Sequence, residues 1–525
     1  MHGKRLEGRK KLARTPCYSS PSQLTIEGFE TPFERKLSKH NRWVRLASLI
    51  PWDRIIPVYN RCFNTKEGRP PINGRVVIGA LIIKHLESFS DRATLHHISE
   101  NVYMQYFLGY SSFTDEAPFT APLFVELRKR MSLELTGEIS KIISTVEQSE
   151  EGVQKDKPTE DDKLSKETKV ETVTEAQTPT AGIQEGEAPT PRGKLLMDAT
   201  VAPQDITFPT DVKLLNSARC KCEELIDFLY KPSLHGLQKP RTYRQVARKM
   251  FLNIQKKKIR SFKEMRKAIG QQLRFVRRNL RHIDTLIASY DSLPLKPRQL
   301  KYLMVIKTVY DQQEKMHRER GHRIEDRIVS IHQPHVRPMV RGKDRQRVEF
   351  GSKLQVSVVD GFTFIDKLSW GAFNEGQCLK ASVELYRDRK GYYPAEVLAD
   401  KIYCNRENRQ WLKERGIKLA AKPLGRPTAA AMDNHVRPSE RNPIEGKFGQ
   451  AKQAYGLNNI KARLKETSES WIACIALVLN LVRLAGRAPY YLIRSIAVFM
   501  EMISKAVWVW MVGGKNGQLF SKPYI

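Results

Sequence analysis

Apolar positions follow two regimes along the chain. From about residue 40 to 135 they recur at helical spacing. Trp43, Leu46, Ala47, Ile50 and Trp52 predict one short helix. Val76, Ile78, Leu81, Ile82 and Leu86 predict a longer one over 75–89. Leu95, Ile98 and Val102 predict a third, with Asp91 as its cap. After residue 194 short apolar runs alternate with helical patterns. Residues 194–203 form an apolar run with one carboxylate, Asp198, in its middle. Residues 354–360 alternate as a strand does, and 362–368 read as its partner across an Asp360-Gly361 hairpin turn. A helix is expected over 378–390, and a strand from Glu396 that ends in the carboxylate Asp400. A second helix, capped by Asn405, follows over 405–416, then a strand over 417–421. Strands followed by helices across short connections predict a mixed α/β sheet.

The next stretch, Arg441 to Lys452, reads as a helix start. Asn442 is the expected N-cap, Pro443 suits the first helical position, and Gly456 is the expected stop. Glu445 and Lys452 lie seven residues apart, two turns along one face. That face offers a carboxylate and a cation to one object, such as a metal with a phosphate beside it. Asn442 and Glu445 also fit a plain capping box.

Two segments interrupt this order. Residues 146–190 are poor in large apolar side chains and carry twelve acids against five lysines, a net −7. Such a segment cannot bury enough apolar area to fold alone and reads as a disordered linker. Residues 212–328 are basic and helical in pattern, with a turn expected over 290–298 between two long helices. The expected division is therefore a basic arm (1–38), a helical N-terminal domain (39–145), the linker (146–190), a catalytic α/β domain (191–485) with the helical insertion 212–328, and a helical tail (486–525). The three N-terminal helices fit a helix-turn-helix-like DNA reader as well as a plain bundle.

Charge sharpens this picture. The 525 residues carry a net +33 with a pI near 9.8, and the cations are spread over most of the sequence. The expected partner is a polyanion, with nucleic acid first. Seven scattered cysteines suit a reducing compartment, and Cys220-x-Cys222 has no second ligand pair nearby. The N-terminus shows no signal-peptide core. Residues 490–512 are apolar but broken by Arg494, Glu501 and Lys505, which favours a buried or amphipathic helix over a span. Phosphate-loop, dinucleotide-binding and Gly-x-Ser-x-Gly patterns are absent from the sequence.

The carboxylates then carry the chemistry. Phosphodiester cleavage needs an activated water or hydroxyl and a stabilised leaving oxygen, and two divalent ions about 3.5–4 Å apart supply both. Hard ions such as magnesium take oxygen ligands. Asp198, Asp400 and Glu445 stand on a strand, at a strand end and at a helix start.

With Met197-Asp198-Ala-Thr, Val356-Ser-Val-Val-Asp360-Gly, Leu398-Ala-Asp400-Lys-Ile-Tyr403 and Arg441-x3-Glu445-x6-Lys452, the sequence resembles the bacterial insertion-sequence transposases with an Asp-Asp-Glu triad on a ribonuclease-H-like fold. The resemblance spans about 40–485 except the linker. It implies Asp198, Asp400 and Glu445 as catalytic metal ligands for two Mg2+ ions, with Mn2+ as a substitute. It implies Arg441 and Lys452 as DNA-phosphate contacts. It further implies terminal inverted repeats and target DNA as partners, a homodimer at the paired ends, and a bacterial cytoplasmic, nucleoid-associated location. Pro438 stands where the fuller motif has Tyr. Trp370 and Trp411 are the candidate aromatics for holding a flipped base, with core packing as the alternative. A nuclease, or a DNA-binding derivative without strand transfer, stays open as the other reading.

Overall fold

The computed structural model describes residues 37–63, 71–152, 190–340, 348–420 and 438–486. Almost all of the expected arm, the linker beyond residue 152, and the apolar run 490–512 lie outside the described residues.

The N-terminal region is helical: α1 (Arg42–Leu49), α2 (Trp52–Asn60), α3 (Gly74–Leu86), α4 (Asp91–Glu100), α5 (Val102–Leu108), α6 (Ala121–Lys129) and α7 (Leu133–Gly152). Two expected helices are each divided in two. Pro51 disfavours helical backbone at the residue before it, and Ile50 is extended (φ −77°, ψ 125°), so α1 stops and α2 restarts at Trp52. Asn101 is also extended, and its side chain caps α5 by accepting from the Tyr103 and Met104 N–H groups. Ser90, not Asp91, caps α4. Helix α3 is apolar nearly all round and sits buried among its neighbours.

A six-stranded mixed sheet follows. Its strands are β1 (Lys194–Pro203), β2 (Arg337–Val340), β3 (Val348–Val359), β4 (Phe362–Ser369), β5 (Glu396–Leu398) and β6 (Lys418–Ala420). The order β2-β3-β1-β5-β6 has β4 paired to β3 as well. β1, β3 and β4 run antiparallel, while β1, β5 and β6 run parallel. Asp360 and Gly361 both take positive φ (51° and 81°), which makes the tight β3–β4 turn that the sequence predicted. The strand expected to end at Asp400 stops two residues sooner, at Leu398. Asp400 caps a short 3-10 turn, Lys401–Tyr403, instead of continuing the ladder.

Between β1 and β2 comes the helical insertion: α8 (Asp211–Leu229), α9 (Pro232–His235), α10 (Arg244–Lys256), α11 (Phe262–Ala288) and α12 (Pro297–Glu319). It has its own core, built from α8, α11 and α12. α13 (Leu379–Lys390) and α14 (Arg406–Lys413) follow β4 and β5, and Asn405 caps α14 as expected. Helix α15 (Pro438–Gln453) begins before Arg441, so Asn442 and Pro443 lie within it and Asn442 is not its cap. A last helix, α16, spans Lys465–Gly486. It is long and apolar enough to cross a membrane, but two-thirds of its apolar window is buried in the protein.

The cores explain how these parts hold together. One hydrophobic cluster runs from Trp43, Ile83 and Phe107 of the N-terminal helices to Leu195, Met197, Val359 and Phe364 on one face of the sheet. The other face packs Ala202, Leu354 and Val356 against Ala451 of α15 and Ile475 of α16. Alternation along β1 sends its odd-numbered residues to the first face and its even-numbered ones, Asp198 included, towards the second. At the outer edge, the buried Asn480 amide of α16 exchanges hydrogen bonds with the Thr363 N–H (2.7 Å) and C=O (2.9 Å) of β4.

Candidate active site

Parallel pairing of β1 and β5 sets the site. Leu195 and Leu196 pair with Val397 and Leu398. Two residues further on, this register brings Asp198 beside Asp400. Helix α15 packs against β1, and its Arg441 reaches both carboxylates. Nη2 of Arg441 lies 3.3 Å from Oδ2 of Asp198, and Nη1 lies 3.4 Å from Oδ1 of Asp400. One guanidinium thus stands between two acids from neighbouring strands. Each acid also accepts the N–H of the next residue: Ala199 to Asp198 at 2.8 Å, and Lys401 to Asp400 at 2.7 Å.

Asp198 is the partly buried member, and Asp400 is the exposed one. Burial raises the Asp198 pKa above the usual carboxylate value. The Ala199 N–H and Arg441 oppose that rise, while the negative charges of Glu375 and Asp400 add to it. A cation placed there relieves this penalty, as Arg441 does in part.

Arg441, Glu445 and Lys452 fall within an arc of about 40° on one face of α15, at 100° per residue. Arg441 is engaged and Lys452 is partly buried, whereas Glu445 is exposed. Among the described residues, no group of three His, Cys, Asp or Glu side chains comes together closely enough to hold a metal ion. The structure therefore joins Asp198 and Asp400, and places Glu445 one turn beyond the arginine that links them. Asp198 and Asp400, two hard-oxygen donors already sharing one cation, suit a divalent metal.

One participant had not been singled out from the sequence. Glu375, in a 3-10 turn that Asn374 caps just before α13, acts electrostatically on both Asp198 and Tyr403. Lys353 of β3 holds it through a 2.7 Å ion pair. Tyr403 is buried, and its hydroxyl donates to Gln355 Oε1 at 2.8 Å. Burial pushes that phenol far above its ordinary range. The only sequence signal for Glu375 was an acid ahead of a helix, which ordinary capping also produces. Of the candidate aromatics, Trp370 is buried and donates to Glu469 Oε1 at 2.7 Å. Trp411 is partly buried under the Arg415 guanidinium, 3.9 Å from its ring centroid. Both make intramolecular contacts here.

Two family models match the chain. The family model described as "Transposase DDE domain" matches residues 397–482, which include Asp400, Arg441, Glu445 and Lys452. A second, "Transposase domain (DUF772)", matches residues 31–130, the helical N-terminal region. A protein of Rhizobium meliloti, described as uncharacterized protein ORF8 in nfe locus, is 26% identical over 232 residues, covering 44% of this chain and 92% of the relative. No solved structure matches. Transposase models thus match both the helical N-terminal region and the stretch bearing Asp400 and Glu445, which indicates an insertion-sequence DDE transposase.

Proposed function

We propose that this transposase binds the terminal inverted repeats of its own element, cuts at the element ends, and joins the freed 3′-hydroxyls to target DNA. The observation that carries the proposal is the Arg441 guanidinium between Asp198 and Asp400. It brings a carboxylate on a strand and one just beyond a strand to the same cationic side chain, of a kind suited to phosphate. Three antiparallel strands continuing into two parallel ones support a ribonuclease-H-like reading of the sheet.

Asp198, Asp400 and Glu445 would hold divalent ions, Mg2+ first and Mn2+ as substitute. Such ions, when bound, supply water activation and charge stabilisation at the leaving oxygen. The chain's own residues do the rest. Asp198 keeps its carboxyl in a partly buried position on β1. Asp400 stays accessible at the strand end. Arg441 offers a planar fork suited to a phosphate, and Lys452 adds a second cation on the same helical face. Work at two element ends calls for a homodimer in the paired complex. The reading places the protein with chromosomal DNA in the bacterial cytoplasm.

The test is Mg2+-dependent cleavage of a supercoiled plasmid carrying the element ends, with wild type beside Asp400→Ala. Wild-type cutting at the ends, with the variant binding but not cutting, supports the proposal. Binding by both with cutting by neither points instead to a DNA-binding derivative. Cutting without joining of pre-cut ends points to a nuclease.

A further inference from the structure

We propose that the exposed basic face of α11 is a docking surface for the backbone of duplex DNA. Residues 239–281 contain sixteen lysines and arginines and a single acid, Glu264. Five of these cations, Lys263, Lys267, Arg274, Arg277 and Arg281, are exposed along α11. At 100° per residue they fall within an arc of about 80°, and over eighteen residues they span about 27 Å. The opposite face of the same helix carries Leu273, Val276, Leu280 and Ile283 into the core of the insertion. The basic stripe is therefore held outward by packing.

A helix face that merely meets water usually mixes its signs at three- and four-residue spacing, because like charges there repel. Here like charges repeat. Among the described residues, Lys263, Lys267, Arg274 and Arg281 make no ion pair, and Arg277 has only Glu314 at 3.9 Å. The repulsion is a cost that a polyanion alongside would turn into attraction. Duplex DNA presents one charge per about 1.7 Å of its axis, so the stripe spans roughly eight base pairs. Backbone contacts of this kind position a duplex without reading its bases. The assignment of the polyanion as DNA rests on the function proposed above.

The experiment compares the full chain with the K263Q/K267Q/R274Q/R281Q variant. Each is titrated over a range of salt against a duplex with the element end and one of unrelated sequence. Four lost phosphate contacts reduce the slope of log affinity against log salt by about 3–4 and weaken binding at least tenfold, about equally on both duplexes. The exchanged variant K263R/K267R/R274K/R281K keeps the slope. An unchanged slope and affinity in the glutamine variant, with wild type binding normally, overturns this surface and leaves the transposase reading intact. A loss confined to the element end, or one seen with RNA in place of DNA, overturns it too. Wild type binding no DNA at all removes the functional reading first.

Discussion

Arg441 and Asp198 lie 243 residues apart in the chain and 3.3 Å apart in the structure. Asp198 is held by the centre of the sheet and Arg441 by a helix laid against it. Their pairing offsets part of the cost of holding a partly buried acid beside a second one.

Asp198 is harder to ionise in the folded chain than in an unfolded one, chiefly because it is buried. A raised carboxylate pKa means that the native state binds the extra proton between the unfolded and folded values. Stability therefore falls as pH rises through that window and stays lower above it. Asp198→Asn should abolish cutting while leaving Tm at pH 7 equal to or above that of wild type. A lower Tm for this variant would show that the Arg441 pair outweighs the burial cost.

Asp91 is the shared partner of two buried cations. Lys84 lies 2.8 Å from it, and Arg128 pairs with it as well. Lys84 also stands 4.3 Å over the ring of Trp471 on α16, so this cluster ties the N-terminal helices to the helix behind the sheet. Asp91→Ala strands both cations and should cost about 3–5 kcal/mol in urea unfolding. Adding Lys84→Met should recover part of that loss. A cost under about 1 kcal/mol would contradict a buried ionic cluster.

His335 stacks edge-on to Trp370, 4.3 Å between centroids, and its Nε2 has no hydrogen-bond partner among the described residues. Burial first, then nearby cations such as Lys301, push its pKa down to about 4. A depressed histidine is neutral in the fold, while the unfolded chain takes up the proton below pH 6.5. Stability should then fall as pH drops from 6.5 towards 4, by on the order of 2 kcal/mol after allowance for partial exposure. His335→Phe should flatten that part of the stability profile. An unaltered profile in the variant would assign the acid sensitivity elsewhere.

Gly376 lets the turn carrying Glu375 approach the turn carrying Asp400. A Cβ there would sit 2.7 Å from the Ile402 carbonyl oxygen, a backbone atom with little freedom to retreat. The Gly376 carbonyl also accepts from Asn408 Nδ2 at 2.7 Å. Gly376→Ala should lower end cleavage at least tenfold while shifting Tm by only a few degrees, because a small displacement at a reacting centre is costly. Full activity with an intact fold would show that the spacing of these turns is not critical.

The sequence by itself determined the local pieces. An apolar run marked β1, alternation marked β3 with β4 as its hairpin partner, the Asp360-Gly361 pair marked the tight turn, and Asn405 marked a helix start. Excess Lys and Arg pointed to a polyanion, and the spacing around Asp198, Asp400 and Glu445 carried the family resemblance. These are signals of short range, set by backbone preference and side-chain alternation. Only the tertiary structure decided which charges meet. Parallel pairing brought Asp198 beside Asp400, and the packing of α15 swung Arg441 between them. The early start of α15 overrode the local capping signal at Asn442. Glu375 entered through Lys353, a contact between a strand and a distant turn that no spacing rule encodes. The N-terminal helices gave no sign in sequence that their core would continue into the sheet, because the patterning shows which face is apolar and not what covers it.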